Sequence, residues 1–131
     1  MRSYCVLIAE PNLLVREKIA SLAARHARVW CVVEVGAHRQ ALVEASQRLR
    51  PDLILADLGL LREPGLVDSL RQVVPECLLH ALIDQAVAPY LELARWLGLD
   101  GAIEKGGAGD VIQQLLEQDD KPASESHETQ N

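Results

Sequence analysis

Asp57 closes the run Pro51-Asp52-Leu53-Ile54-Leu55-Ala56-Asp57-Leu58, and Lys105 follows a second apolar run, Ala102-Ile103, just ahead of Gly106 and Gly107. Four apolar residues in a row, between a proline and a glycine-containing turn, describe a short strand buried on both faces. The Asp57 carboxylate then emerges at the carboxyl end of that strand. In a parallel α/β sheet this edge is where sites are built. An acid and a base at the tips of two strands predict one shared pocket, in which the ammonium balances charge at the carboxylate or closes the pocket as a plain ion pair. Taken alone, Asp57 also fits a turn or cap residue. Glu10, just past the apolar run Val6-Leu7-Ile8-Ala9, is the third candidate, and by itself it reads as a solvated acid in a strand-to-helix loop.

Positioning these groups takes alternating strands and helices, and the apolar pattern supplies five of each. The first strand spans roughly Tyr4 to Ala9, and a helix from about Asn12 to His26 carries Val15, Ile19 and Leu22 on one face. Val29 to Val35 form the second strand, stopped by Gly36, and Arg39 to Leu49 the second helix. The third strand ends at Asp57; Pro64 opens a third helix with Val67, Leu70 and Val74 aligned, and Pro75 closes it. Cys77 to Ile83 is the fourth strand. The fourth helix starts near Pro89, with Tyr90, Ala94 and Leu97 on one face. Gly101 to Lys105 is the fifth strand, and the last helix buries Val111, Leu115 and Ile112. Five βα units imply α/β architecture with a doubly wound, five-stranded parallel sheet.

With 131 residues, 49% of them hydrophobic, the chain suits one domain over residues 1–118 with a full core. Residues 119–131 hold no large apolar side chain and read as a disordered acidic polar tail. No apolar stretch approaches a membrane span, and the first one is too short for a signal peptide, so a cytoplasmic protein is expected. A net charge of −6 opposes direct contact with a nucleic-acid backbone. Cys5, Cys31 and Cys77 each lie in strand-like runs and read as core thiols. His26, His38 and His127 read as surface or helix-end residues, His80 as a hydrogen-bonded strand histidine, and Trp30 as structural. No Walker loop or dinucleotide glycine fingerprint follows the first strand.

Together the motifs resemble the response-regulator receiver domain of two-component signalling, which has a chemotaxis-regulator-like (βα)5 fold of the flavodoxin kind. The likeness runs from about residue 4 to residue 118. Val6-Leu7-Ile8-Ala9-Glu10 with Leu14-Val15-Arg16-Glu17 is similar to the family's first strand and helix. Arg50-Pro51-Asp52-Leu53-Ile54-Leu55-Ala56-Asp57-Leu58 resembles its phosphoacceptor strand, and Gly98-Leu99-Asp100-Gly101-Ala102-Ile103-Glu104-Lys105 its final strand. The resemblance implies that Asp57 accepts a phosphoryl group from a histidine kinase or phosphotransfer protein and that Lys105 balances the developing charge. It also implies a Mg²⁺ ion held by Glu10, Asp57 and the Gly59 backbone carbonyl.

Three positions depart from the family pattern. Pro11 stands where a second metal-binding acid belongs, which weakens Mg²⁺ binding because that ion demands near-ideal octahedral oxygen geometry. Ile83 replaces the Thr or Ser that bonds the phosphoryl group, and Ala102 replaces the rotating Tyr or Phe, so both switch positions are degenerate. The expectation is an atypical stand-alone receiver that is not an enzyme beyond phosphoacceptance and self-dephosphorylation. Its output runs through protein contacts on the face formed by the fourth helix, fifth strand and fifth helix, where Tyr90 and Trp96 sit, and homodimerisation through that face is a further expectation. The alternatives are a conventional receiver phosphorylated on Asp57 with Mg²⁺, and a small-molecule-binding α/β module using the same cleft. No membrane partner is expected.

Overall fold

The computed structural model describes residues 2–119. Strand β1 (Tyr4–Ala9) leads to helix α1 (Leu13–Ala24), β2 (Val29–Val35) to α2 (Arg39–Leu49), and β3 (Leu53–Asp57) to α3 (Leu66–Val73). Strand β4 (Leu78–Ile83) leads to α4 (Ala88–Trp96), and β5 (Gly101–Glu104) to α5 (Ala108–Asp119). All pairings are parallel, in the order β2-β1-β3-β4-β5, so the expected doubly wound sheet is present. The chain reverses direction across the sheet between β1 and β3, which are neighbours.

Alternation along the central strands builds two cores. Leu7, Ala9, Ile54 and Ala56 pack with Leu42, Leu66 and Leu70 of α2 and α3 on one face. Val6, Ile8, Leu53 and Leu55 pack with Ile19 of α1 and Ile112 and Leu116 of α5 on the other. Apolar residues of both parities are what a sheet covered on both faces requires. At the amino edge of the sheet, two acids tie strands together. Asp52 Oδ2 accepts the Cys5 N–H at 2.8 Å, and Asp100 Oδ2 accepts the Leu79 N–H at 2.7 Å while pairing with Arg71 at 3.0 Å.

Several boundaries and exposures differ from the sequence expectation. Leu58–Leu61 forms a helical turn, and the third helix starts at Leu66 because Gly65 takes a positive φ of 78° just after Pro64. Strand β5 ends at Glu104, and Lys105 opens a 3₁₀ turn through Gly107. In α5 the inward stripe is Ala108, Ile112 and Leu116, four residues apart, with Leu115 partly buried; Val111 falls outside that stripe and is exposed. Trp30 is 69% exposed rather than structural. The β1–β2 register passes from Tyr4↔Val29 to Cys5↔Cys31, so Trp30 is the unpaired residue of a bulge.

Cys5 and Cys77 are buried, and burial is the main reason both thiols are pushed up to about 12, while Cys31 on the edge strand is only partly covered. His26 is a helix-end residue, yet buried, with Nδ1 accepting the Arg28 N–H. His80 is buried, but its Nδ1 has no hydrogen bond, against the expected bonded histidine. The proposed tail and His127 lie outside the described residues, except that Asp119 is the last residue of α5.

The His80 ring lies over its register partner Gly101, where an added Cβ would come within 2.8 Å of Nδ1 and Cε1. We expect Gly101→Ala to cost about 1–3 kcal/mol in urea unfolding through this overlap. A His80→Ala change in the same background should recover most of that loss; additive costs would show that the ring is not the obstacle. Burial lowers the His80 pKa, so the unfolded chain binds the proton more readily and stability falls as pH drops through 6.5. The difference in melting temperature between wild type and His80→Leu should therefore change between pH 7.5 and pH 5.5, with wild type losing more.

Candidate functional site

Glu10 follows the tip of β1, and two backbone hydrogen bonds and one side-chain hydrogen bond fix it in place. Its N–H donates to Val35 O at 3.3 Å, its carbonyl accepts Arg16 Nη1 at 2.9 Å, and its Oε2 accepts the Asn12 N–H at 2.9 Å. Asn12 in turn caps α1 by accepting the Val15 N–H at 3.0 Å. Pro11 between them donates no hydrogen bond and fixes φ, which suits a loop that must fold the glutamate back over the sheet. The result is a carboxylate only 1% exposed, not the solvated loop acid that its position alone suggests.

Asp57 ends β3 and takes an extended conformation that turns its carboxylate across the sheet edge. Oδ2 accepts the Gly59 N–H at 3.0 Å, and a Cβ on Gly59 would lie 2.8 Å from that oxygen. Oδ1 accepts Lys105 Nζ at 2.8 Å. The same ammonium stands 2.8 Å from Glu10 Oε1 and 3.4 Å from Asp84 Oδ1. Glu10 Oε1 has no hydrogen bond in proper geometry, so the charge of Lys105 is its main compensation. Thus the acid of β1, the acid of β3 and the base following β5 meet in one cluster, as the strand-tip argument requires.

Lys105 is 15% exposed. Burial by itself lowers its pKa, but the contacts and charges of Asp57 and Glu10 outweigh it and raise the value above the ordinary 10.5. A cation held this way contributes stability throughout neutral pH, and the contribution disappears only as the pH climbs past the lysine range.

Asp84 and Arg62 were not among the sequence candidates. Asp84 directly follows the last residue of β4, the strand-tip signal that picked out Asp57; Arg62 carries no comparable signal. Beside the cluster lies a cleft of about 220 Å³ whose lining includes Asp57, Gly59, Arg62, Ile83, Asp84 and Tyr90. Ile83 is buried in its wall. Ala102 is half-buried on β5 and packs with the same core as Ile83, and neither supplies a polar atom or a ring. Tyr90 is 43% exposed rather than core, and Trp96 is 81% exposed at the end of α4.

The expected Mg²⁺ does not fit these residues. Glu10 and Asp57 already direct all four carboxylate oxygens at Lys105 or a backbone N–H, and the buried Glu10 leaves little room for the waters that Mg²⁺ retains. Among the described residues, no group of three or more His, Cys, Asp or Glu side chains could hold a metal ion.

The 2-1-3-4-5 parallel sheet whose carboxyl edge carries these groups is also the fold of several solved receiver structures. The isolated receiver domain of RcsB from Salmonella enterica serovar Typhimurium, in its apo form, superposes with a TM-score of 0.74 at 22% identity, covering 98% of this chain and 100% of that one. The non-phosphorylated receiver domain of the stress response regulator RcsB from Escherichia coli gives 0.73 at 20%, covering 88% and 91%. A LuxR-family two-component response regulator from Aurantimonas sp. SI85-9A1 gives 0.72 at 18%, covering 88% and 84%. No family model and no curated protein matches the chain. The fold is therefore that of response-regulator receiver domains. No helix among the described residues is long and apolar enough to cross a membrane.

Lys105→Met should lower the unfolding free energy at pH 7 by about 3 kcal/mol, because it leaves Glu10 buried without a cation. Adding Glu10→Gln should return a large part of that loss in urea denaturation. A double variant as unstable as the single would mean that the two charges do not depend on each other.

Proposed function

We propose that the chain is an atypical receiver domain of a two-component phosphorelay, working through protein contacts with a pocket held in one state. The observation that carries this reading is the closed cluster in which Lys105 meets both Glu10 and Asp57. Pro11 withholds the second acid, and the apolar Ile83 and Ala102 offer no bond or ring through which a phosphoryl group at Asp57 would move α4 and β5. Output then falls to surface recognition. Tyr90 and Trp96 of α4 expose aromatic area of the kind enriched at interfaces, and a protein partner or a second copy would use it. Such a protein turns nothing over as an enzyme, and its place is in the cytoplasm with the signalling partners that such domains serve.

The second reading, a conventional receiver, has one observation in its favour. Asp57 borders the cleft of about 220 Å³, where Arg62 could join Lys105 in balancing a phosphoryl group delivered by a histidine kinase or phosphotransfer protein. That reading uses Asp57 as phosphoacceptor and needs Mg²⁺ at Glu10, Asp57 and the Gly59 carbonyl. The small-molecule reading has less support, because this cleft is below the roughly 300–1,000 Å³ usual for ligand pockets.

Incubation with acetyl phosphate and Mg²⁺ followed by intact-mass measurement separates the first two readings. We expect no adduct on the wild-type chain. A single phosphoryl adduct that disappears in Asp57→Ala would establish the conventional receiver instead.

A further inference from the structure

Two of the three cysteines face each other across the β1–β2 ladder. Cys5 pairs with Cys31 just past the bulge at Trp30, and paired residues of parallel strands carry their side chains on the same face. Alternation puts both on the side of Leu7 and Val33, the next such pair, which packs in the core beneath α2. Adjacent strands lie about 4.8 Å apart, inside the roughly 4.4–6.8 Å between α-carbons over which a disulfide closes. The Cys31 thiol is within hydrogen-bonding reach of the Cys5 thiol. We propose that Cys5 and Cys31 form a reversible dithiol–disulfide site, oxidised by a small disulfide of the glutathione type.

The two thiols differ in access, and that sets the order of reaction. Cys5 is 1% exposed; burial first, then the neighbouring Cys31 thiol, pushes its pKa up to about 12, so it keeps its proton and does not start the exchange. Cys31 is only partly covered and lies on an edge strand, open to reagent from outside the sheet. Its thiolate attacks one sulfur of the glutathione disulfide: a mixed S–S bond forms, the glutathione S–S bond breaks, and the released glutathione takes up the Cys31 proton. The Cys5 sulfur then displaces the second glutathione and passes its proton to it as the Cys5–Cys31 bond forms. Two electrons and two protons leave the pair, and both glutathione molecules depart as thiols. The ladder holds the strands about 4.8 Å apart, while the β-carbons of a disulfide stand about 3.8 Å apart, so the bond pulls against the sheet and is readily reduced. Cys77, 5% exposed at the start of β4 and with Sγ donating to Leu78 O at 3.3 Å, is two strands away from β1 and takes no part. The site stands apart from the Asp57 cluster and goes beyond the atypical-receiver reading.

The test is to incubate the native protein with oxidised glutathione, quench in acid, unfold and alkylate. We expect a mass loss of about 2 Da before alkylation and a non-reducing peptide map that joins Cys5 to Cys31. Only Cys77 should then take up the alkylating reagent, and dithiothreitol should return all three thiols. Cys31→Ser should slow the reaction of Cys5 at least roughly tenfold, whereas Cys5→Ser should stop at one glutathione adduct on Cys31. Should either variant not fold, the wild-type peptide map decides the matter alone. Wild type that keeps three alkylatable thiols or halts at a glutathione adduct overturns the inference. So does a bond to Cys77, because that sulfur reaches the others only through unfolding.

Discussion

A carboxylate taken out of water has to be answered by a cation or give up its charge, and Glu10 imposes that condition on the whole carboxyl edge of the sheet. The answer comes from far away in sequence and from the other side of the fold. Lys105 directly follows β5, the strand farthest from β1 on that side, with β3 and β4 between them. Adjacent strands are about 4.8 Å apart, so only a long side chain can span the gap, and the 3₁₀ turn after Glu104 aims it inward. The ion cluster therefore joins β1, β3 and the segment beyond β5 at one edge of the sheet, where the backbone ladders have ended.

Acids at the opposite edge show how differently the same residue type can be used. Asp52 and Asp100 receive backbone N–H groups from β1 and β4, with Arg71 adding charge to Asp100. They are settled by hydrogen bonds to neighbouring strands and leave no demand unmet. Glu10 and Asp57 each receive one N–H as well, but both look to the same ammonium for the rest. One edge is stitched and the other is closed by a single movable group.

Much of this arrangement was legible in the sequence because it follows from strand periodicity. The apolar pattern marks Val29 to Val35 and Arg39 to Leu49 to the residue, and it puts Asp57 at a strand end and Lys105 within one residue of another, with their side chains meeting. The losses fall where a local rule yields to a tertiary one. Val111 and Ile112 both fit a helical repeat, and only the packing of α5 against α1 and β5 selects Ile112. Glu10 looked solvated because nothing local reveals Arg16 and Asn12 folding it inward. Trp30 looked structural because a bulge leaves no mark on the apolar pattern of an edge strand.

That bulge has a consequence for the molecule in company. A seven-residue edge strand of mostly valine is a natural template for another chain to pair with. The extra residue at Trp30 breaks the even spacing of N–H and C=O groups along that edge and adds local twist, and Glu34 further along places a charge there. The exposed indole, costly in open water, marks the device that blunts β2 against open-ended sheet growth.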